Sequence, residues 1–207
     1  MKTNFFITLE GCEGVGKSTA LAYITSYLSK KNIHFIITRE PGGTPIAEAL
    51  RKILLHHDDE IILPITELLL LFAGRAQHIA NVIKPALEAK QWVISDRFTD
   101  ASFAYQGGGR KMAMNQLQIL SDWVQGDLQP DLTLLFDAPV EVGLSRITVR
   151  GQKDRIEKEK ADFFERVRTV YLERAKQFPE RFVIIDATQS LEFVQKQIQA
   201  ALNAISL

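Results

Sequence analysis

Residues Gly11 to Ser18 read GCEGVGKS: a glycine, four residues, then glycine, lysine and serine. An apolar run containing Phe5, Phe6, Ile7 and Leu9 leads into them, and an amphipathic stretch follows. Strand, glycine-rich turn and helix in that order form the setting of a phosphate-binding loop. The spacing has a chemical reason. Glycines let successive backbone N–H groups turn inward around phosphate oxygens, Lys17 adds a cation for the outer phosphates, and the Ser18 hydroxyl is suited to ligate Mg²⁺. The helix that begins there adds the positive end of its dipole. A glycine-rich turn without a ligand is the competing reading.

Downstream, short β-rich runs alternate with longer helical patterns, which predicts an α/β fold of parallel strands joined by crossover helices. The expected strands are Asn4–Glu10, His34–Thr38, Trp92–Ser95, Leu132–Asp137 and Phe182–Asp186. Leu132, Leu134, Leu135 and Phe136 form the unbroken apolar run of a strand buried on both faces. Helices are expected near Lys17–Lys31, Pro45–Leu55, Thr66–Lys90, Ala113–Gly126, Val140–Val149, Lys160–Phe178 and Leu191–Ile205. In the last, Leu191, Val194, Ile198, Leu202 and Ile205 make one stripe. Ligands of such sheets bind beyond the carboxyl ends of the strands, and every polar cluster described below follows a strand or lies in a long insertion.

The bulk numbers remove whole classes of function. A length of 207 residues suits one domain, 1–207, or one domain with a mobile insertion. Lys plus Arg equals Asp plus Glu at 25 each, so no global positive field draws the chain to nucleic acid or an anionic membrane. One cysteine, Cys12, excludes an internal disulfide framework and a multi-thiolate metal site, as suits a reducing compartment. The N-terminal apolar run is too short for a signal peptide, and Pro64 and Glu67 interrupt the stretch Ile61–Ala73, so no membrane span is expected. The reading is a soluble cytoplasmic protein.

Five further constellations carry chemistry. Arg39, Glu40, Pro41, Gly42, Gly43 and Thr44 make a turn that presents a charged pair at the sheet edge, with Thr44 capping the next helix; a cap with a surface ion pair is the alternative. The third strand ends Ser95, Asp96, Arg97, like a Walker B strand with an arginine appended. Asp96 would reach Mg²⁺ or its water shell and Arg97 a second phosphate, unless Asp96 is only a turn residue. Phe72 and Arg75 lie three apart on one helix face, as an aromatic platform and bidentate donor for a planar base, or as core packing beside a surface salt bridge. In SFAYQGGGR, Ser102 to Arg110, three glycines mark close backbone approach or a mobile turn, and Gln106 offers a donor and an acceptor to a base edge. In RITVRGQKDR, Arg146, Arg150, Lys153 and Arg155 surround one glycine, as in a flap that brings guanidinium groups to a phosphoryl transfer, or in a solvated charged loop.

Three features are set aside. His56 to Glu60, HHDDE, match no metal-ligand spacing and read as a solvated turn. Cys12 receives no nucleophilic role, although a thiol near a helix N-terminus is in the setting of a reactive one. His34 and His78 show no partner.

Taken in order, GCEGVGKS, REPGGT, FAGR, DRF and AYQGGGR, followed by PDLTLLFD and RGQKDRIE, resemble the thymidylate kinase family over nearly the whole chain. The resemblance implies a P-loop nucleoside monophosphate kinase fold with a five-stranded parallel sheet, flanking helices and a lid at 147–158. It also implies a homodimer that transfers the γ-phosphoryl group of ATP, with Mg²⁺, to dTMP. Gly11, Cys12, Glu13, Gly14, Val15, Gly16, Lys17, Ser18 and Thr19 would hold ATP, with Arg146 near adenine and Ser18 and Asp96 at the metal. Arg39 and Arg97 would grip the acceptor phosphate beside Glu40 and Pro41. Phe72 would stack on thymine, Arg75 would bond its O4 edge, Ser102 and Gln106 would complete the base contacts, and Tyr105 would crowd the 2′ position. Glu13 takes the place of the loop's acidic residue. The phosphate loop lacks an arginine, so the chain resembles the bacterial type whose lid supplies the catalytic charge, here through Arg150 and Arg155 with Lys17 and Arg97. Phe98 stands where the family often has Tyr or His, and receives no contact. A different small P-loop kinase remains an alternative. A regulatory P-loop switch is disfavoured by the lack of an Asn-Lys-x-Asp or Asp-x-x-Gly motif.

Overall fold

The structure, a computed structural model, describes residues 4–56, 60–150 and 154–206; at 56, 147–150 and 206 it describes the backbone alone. Five strands, β1 (Phe6–Glu10), β2 (Phe35–Arg39), β3 (Trp92–Asp96), β4 (Leu132–Asp137) and β5 (Phe182–Asp186), make one sheet in the order β2-β3-β1-β4-β5. Every neighbouring pair is parallel, as expected from the alternation of strands and helices. The central strand β1 is buried throughout, and its alternate side chains feed two cores. Ile7 and Leu9 enter the larger core with Ile94, Leu134 and Phe164, while Phe6 packs with Val93, Phe98, Ile79 and Ile83 on the other side.

The helices are α1 (Lys17–Lys30), α2 (Pro45–His56), α3 (Pro64–His78), α4 (Lys84–Glu88), α5 (Thr99–Ser102), α6 (Met114–Gln125), α7 (Val140–Arg150), α8 (Ala161–Gln177) and α9 (Leu191–Ser206). The single helix expected over Thr66–Lys90 is instead α3 and α4 joined by a π-helical turn, Ile79–Ile83. Pro85 has no N–H to return to the preceding turn, and a widened turn accommodates that loss. The glycine run is likewise π-helical, Phe103–Gly109, and buried, so close backbone approach is the reading that holds. A Cβ on Gly109 would lie 2.4 Å from the Phe163 ring, and one on Gly108 would lie 2.8 Å from the Arg166 carbonyl oxygen. The missing side chains let α8 press against this segment.

Parallel register brings the separated motifs to one edge. Arg39 pairs with Asp96 and Asp96 with Leu9, while Glu10 pairs with Leu135 of β4. The carboxyl ends of β2, β3, β1 and β4 therefore gather the REPGGT turn, the Asp96–Arg97 pair, the phosphate loop and Asp137. Residues 57–59 of the HHDDE turn and 151–153 of the charged flap lie outside the described residues.

Candidate functional site

The phosphate loop leaves β1 and turns into α1. Gly14 has φ 73°, and a Cβ there would lie 2.2 Å from the Gly143 carbonyl oxygen, so the loop sits directly against α7. Lys17 donates from Nζ to the carbonyl oxygens of Gly11 (3.0 Å) and Cys12 (2.7 Å), which holds the ammonium across the loop. Burial, with the Arg97 charge adding to it, lowers the Lys17 pKa to about 8. Ser18 and Thr19 are exposed in the first turn of α1, whose N-cap, Gly16, supplies no side-chain hydrogen bond. The helix end is thus available to an anion. Arg146 on α7 donates to the Gly14 carbonyl oxygen at 3.2 Å, which sets it beside the loop. Cys12 is buried, and burial with the neighbouring Glu13 pushes its thiol up to about 12, which removes the reactive-thiol reading.

Beside the loop opens a cavity of about 150 Å³. Its lining brings together Glu13, Arg39, Glu40, Pro41, Arg75, Asp96, Arg97, Ser102, Tyr105, Gln106 and Arg155, which the sequence had singled out from distant segments. Arg97 is the cation on the loop side. It has φ 72°, a left-handed conformation costing a non-glycine residue roughly 1–3 kcal/mol. Four hydrogen bonds fix its guanidinium: to the Gly11 carbonyl oxygen (3.0 Å), Tyr171 Oη (3.0 Å), Glu13 Oε1 (2.7 Å) and Tyr105 Oη (2.9 Å). Tyr105 donates in turn to Glu13 Oε2 at 2.6 Å. Beneath them Glu10 is fully buried and accepts from the Phe98 N–H (2.7 Å) and Tyr171 Oη (2.7 Å). Burial and the Asp100 charge raise its pKa to about 7. Asp96 also lines the cavity, and its Oδ1 is buried without a hydrogen-bond partner among the described residues.

Arg39 is placed at the rim, 53% exposed and paired with Glu48 at 2.8 Å. Arg51 of α2 joins it in the lining and was missed in the sequence. It donates to the Pro41 carbonyl oxygen at 2.8 Å, and burial with the nearby Arg39 lowers its pKa. These two cations and Arg97 face one small space, which is the electrostatics of a phosphate site.

The far end is built on Arg75, which is buried on α3. Its Nε donates to Glu40 Oε2 (2.7 Å), and one terminal nitrogen donates to Ser102 Oγ (2.9 Å) and to the Phe98 carbonyl oxygen (3.2 Å). The other, Nη1, is buried with no partner among the described residues. Glu40 is itself held by His78 Nδ1 at 2.9 Å, and His78 Nε2 meets Thr38 Oγ1 at 2.6 Å, so His78 has the partners the sequence did not reveal. The donor that α3 presents is therefore fixed from behind.

Two expectations are corrected here. Phe72 is not a platform in the cavity: it is 2% exposed, belongs to the larger core and lies under the Arg75 guanidinium at 4.6 Å. Leu71, one residue earlier and four from Arg75, lines the cavity instead. Helix geometry puts positions three and four before Arg75 on neighbouring flanks, and the larger aromatic went to the core. Arg155 is bonded to α2 and α3 rather than to the phosphate loop. It donates to the Leu54 carbonyl oxygen at 2.8 Å and to the buried Glu67 carboxylate, and thus forms the cavity wall between α2 and α3. Arg150 ends α7, and its side chain lies outside the described residues.

The sequence and fold that build this cavity have counterparts among known proteins. The family model described as thymidylate kinase matches residues 9–198. The chain belongs to the thymidylate kinase family. A thymidylate kinase of Vesicomyosocius okutanii is 52% identical over 205 residues, covering 99% of this chain and all of that protein. One from Pseudomonas putida strain F1 is 54% identical over 203 residues, covering 98% and 97%. The crystal structure of thymidylate kinase from Ehrlichia chaffeensis superposes with a TM-score of 0.78 at 32% identity, covering 97% of this chain and 98% of that one. The thymidylate kinase match includes every residue of the loop and cavity discussed above.

Proposed function

We propose that the chain phosphorylates dTMP to dTDP with ATP, serving the supply of dTTP for DNA replication. The observation that carries this reading is one cavity lined by Arg97 and Arg51 together with Glu13 of the phosphate loop, in which Arg75 also carries a terminal nitrogen without a partner among the described residues. A phosphate oxygen of dTMP attacks the γ-phosphorus of ATP in line. The new P–O bond forms as the bond to the β,γ-bridging oxygen breaks, and ADP leaves with that electron pair. No general base is required, because the acceptor oxygen is already an anion.

Each residue has a role that its surroundings support. Gly11 to Thr19 cradle ATP, Lys17 contacts its outer phosphates, and Arg146 lies toward adenine. Arg97 and Arg51, with Arg39 at the rim, bind the acceptor phosphate, while Glu13 and Tyr105 hold Arg97 in place. Tyr105 crowds the 2′ position, Leu71 gives the thymine an apolar face, and Arg75, Ser102 and Gln106 address its polar edge. Glu40 acts through Arg75 and Pro41 closes the wall. The Ser18 hydroxyl and the unpartnered Asp96 Oδ1 fit a Mg²⁺ that the nucleotide phosphates help to hold, as this ion prefers. When bound, the ion neutralises charge on the β and γ oxygens.

The phosphate loop carries no arginine, so the remaining positive charge comes from the lid. With Arg155 tied to Glu67, that part falls to Arg150. Replacing Arg150 by Ala is expected to lower kcat by about 10³-fold or more, the scale of a catalytic arginine, and replacing Arg155 to raise KM for dTMP. A double Arg150/Arg155→Ala variant with kcat near wild type overturns the lid assignment. We also propose a homodimer: Ile65 and Leu69 of α3 and Ile119 and Trp123 of α6 are large apolar side chains left exposed on two helices that pack together. Light scattering is expected to give twice the chain mass, and a monomer at micromolar concentration rejects this.

A further inference from the structure

Glu67 is a buried acid to which phosphoryl transfer gives no task. Its carboxylate accepts from Gln106 Nε2 at 2.7 Å, from Arg110 Nε at 3.3 Å and from Arg155. Burial works to raise its pKa, but the Arg110 charge and the bonds from Gln106 and Arg155 outweigh burial and hold it below the usual carboxylate range. It is therefore ionised at neutral pH.

An ionised carboxylate can only accept hydrogen bonds. The amide of Gln106, which is otherwise free to present either end, must turn its NH₂ group to Glu67. Its carbonyl oxygen then makes no hydrogen bond among the described residues, on a side chain that lines the cavity. Arg75 has the opposite surplus in the same cavity, a buried Nη1 without an acceptor among the described residues. Ser102 joins the two: it bonds Arg75 and lies four positions before Gln106 on the same helical segment. Around Ser102 the cavity wall thus combines a spare donor, Arg75 Nη1, with a spare acceptor, the Gln106 side-chain oxygen.

A 2,4-dioxopyrimidine carries the complement, an O4 acceptor next to an N3–H donor. A 4-aminopyrimidine carries the reverse, an amino donor next to an N3 acceptor. We propose that Glu67 is a specificity-positioning residue that locks the Gln106 amide with its oxygen toward the base, so that the site favours a dioxopyrimidine over a 4-aminopyrimidine. This rests on the proposal that the base lies between Arg75 and Gln106. A site built to pair a polar edge rejects the mismatched edge because its own buried groups are then left unpaired.

The test is the ratio of kcat/KM for dTMP to that for dCMP, measured for wild type, Glu67→Gln, Gln106→Leu and the double variant. Glutamine at 67 can donate as well as accept, so Gln106 is free to turn over. The ratio is expected to fall about tenfold or more in Glu67→Gln, and in the double variant to equal that of Gln106→Leu alone. A Glu67→Gln enzyme that loses activity toward both nucleotides equally, at an unchanged ratio, assigns Glu67 to holding Arg155 only and overturns the proposal. Additive effects in the double variant also overturn it. Wild-type enzyme that does not use dTMP would instead reject the base-site reading itself. Should Glu67→Gln fail to fold, hydrogen exchange of the wild-type Gln106 side-chain amide serves in its place. Its protons are expected to be protected with and without dTMP, and protection that arises only when dTMP binds would place the NH₂ on the base and refute the assignment.

Discussion

In the proposed site Glu40 supports the base end by holding Arg75, and replacing it by glutamine separates charge from shape. Its carboxylate and the Arg75 guanidinium are 5% and 2% exposed, so solvent screens neither. A glutamine can keep both contacts: its oxygen accepts from Arg75 Nε, and its NH₂ donates to His78 Nδ1 if the imidazole donates from Nε2 to Thr38. The hydrogen bonds at 2.7, 2.9 and 2.6 Å thus survive, and only the counter-charge is lost. Removing one partner of a buried ion pair costs about 3–5 kcal/mol, and with the bonds conserved Glu40→Gln belongs near the lower end, about 3 kcal/mol. Glu40→Ala, which strips Arg75 Nε and His78 Nδ1 of acceptors, belongs near the upper end. With a urea m-value of roughly 2 kcal/mol/M, the glutamine variant should unfold about 1.5 M earlier. Kinetically, a loosened Arg75 should raise KM for dTMP more than it lowers kcat, because the base edge is bound equally in ground and transition states. Combining Glu40→Gln with Arg75→Met removes both charges and should destabilise by less than the sum of the single changes. A Glu40→Gln enzyme less than about 1 kcal/mol below wild type, with unchanged KM, would refute the view that this carboxylate holds Arg75.

Two pH effects follow from other buried groups. In its proposed role Lys17 must be protonated to bind phosphate, and its pKa of about 8 in the free protein means that kcat/KM for ATP should decline as pH rises above about 8. Lys17→Arg, though slower, should lose that decline, and a wild-type profile flat to pH 10 would contradict the assignment. Glu10 has a folded pKa raised to about 7, above its unfolded value. Its contribution to stability is therefore complete below about pH 4.5 and lost as pH rises through about 7. The stability difference between wild type and Glu10→Gln, followed by urea unfolding, should shift against wild type across that window, and a constant difference would reject the raised pKa.

Legibility in the sequence followed the range of the interactions. The phosphate loop is local in sequence, and the strands are apolar runs bounded by turns, so the parallel sheet and the loop could be read directly. REPGGT, Asp96–Arg97 and SFAYQGGGR were recognisable as site segments because each combines charge or amide groups with turn or glycine chemistry where a sheet strand ends or an insertion begins. What escaped depended on distant partners. Arg155 looked like a mobile cation because Glu67, which captures it, is 88 positions away. Arg51 looked like any basic residue on an amphipathic helix, and only the fold of α2 over the REPGGT turn turns it inward. The choice between Leu71 and Phe72 hung on which flank of α3 meets the core, and residue spacing alone does not decide that. The π-helical form of the glycine run is imposed by α8, whose close approach needs the bare backbone of Gly108 and Gly109.

The proposed site is a two-substrate cavity with a phosphate loop at one end and a thymine-reading end at the other. Steady-state phosphoryl transfer from ATP to dTMP, dUMP, UMP, dCMP, GMP, AMP and thymidine tests it most directly. The highest kcat/KM is expected for dTMP, with no use of thymidine, which lacks the acceptor phosphate. Preference for any other acceptor, or hydrolysis of ATP that no acceptor accelerates, would contradict it.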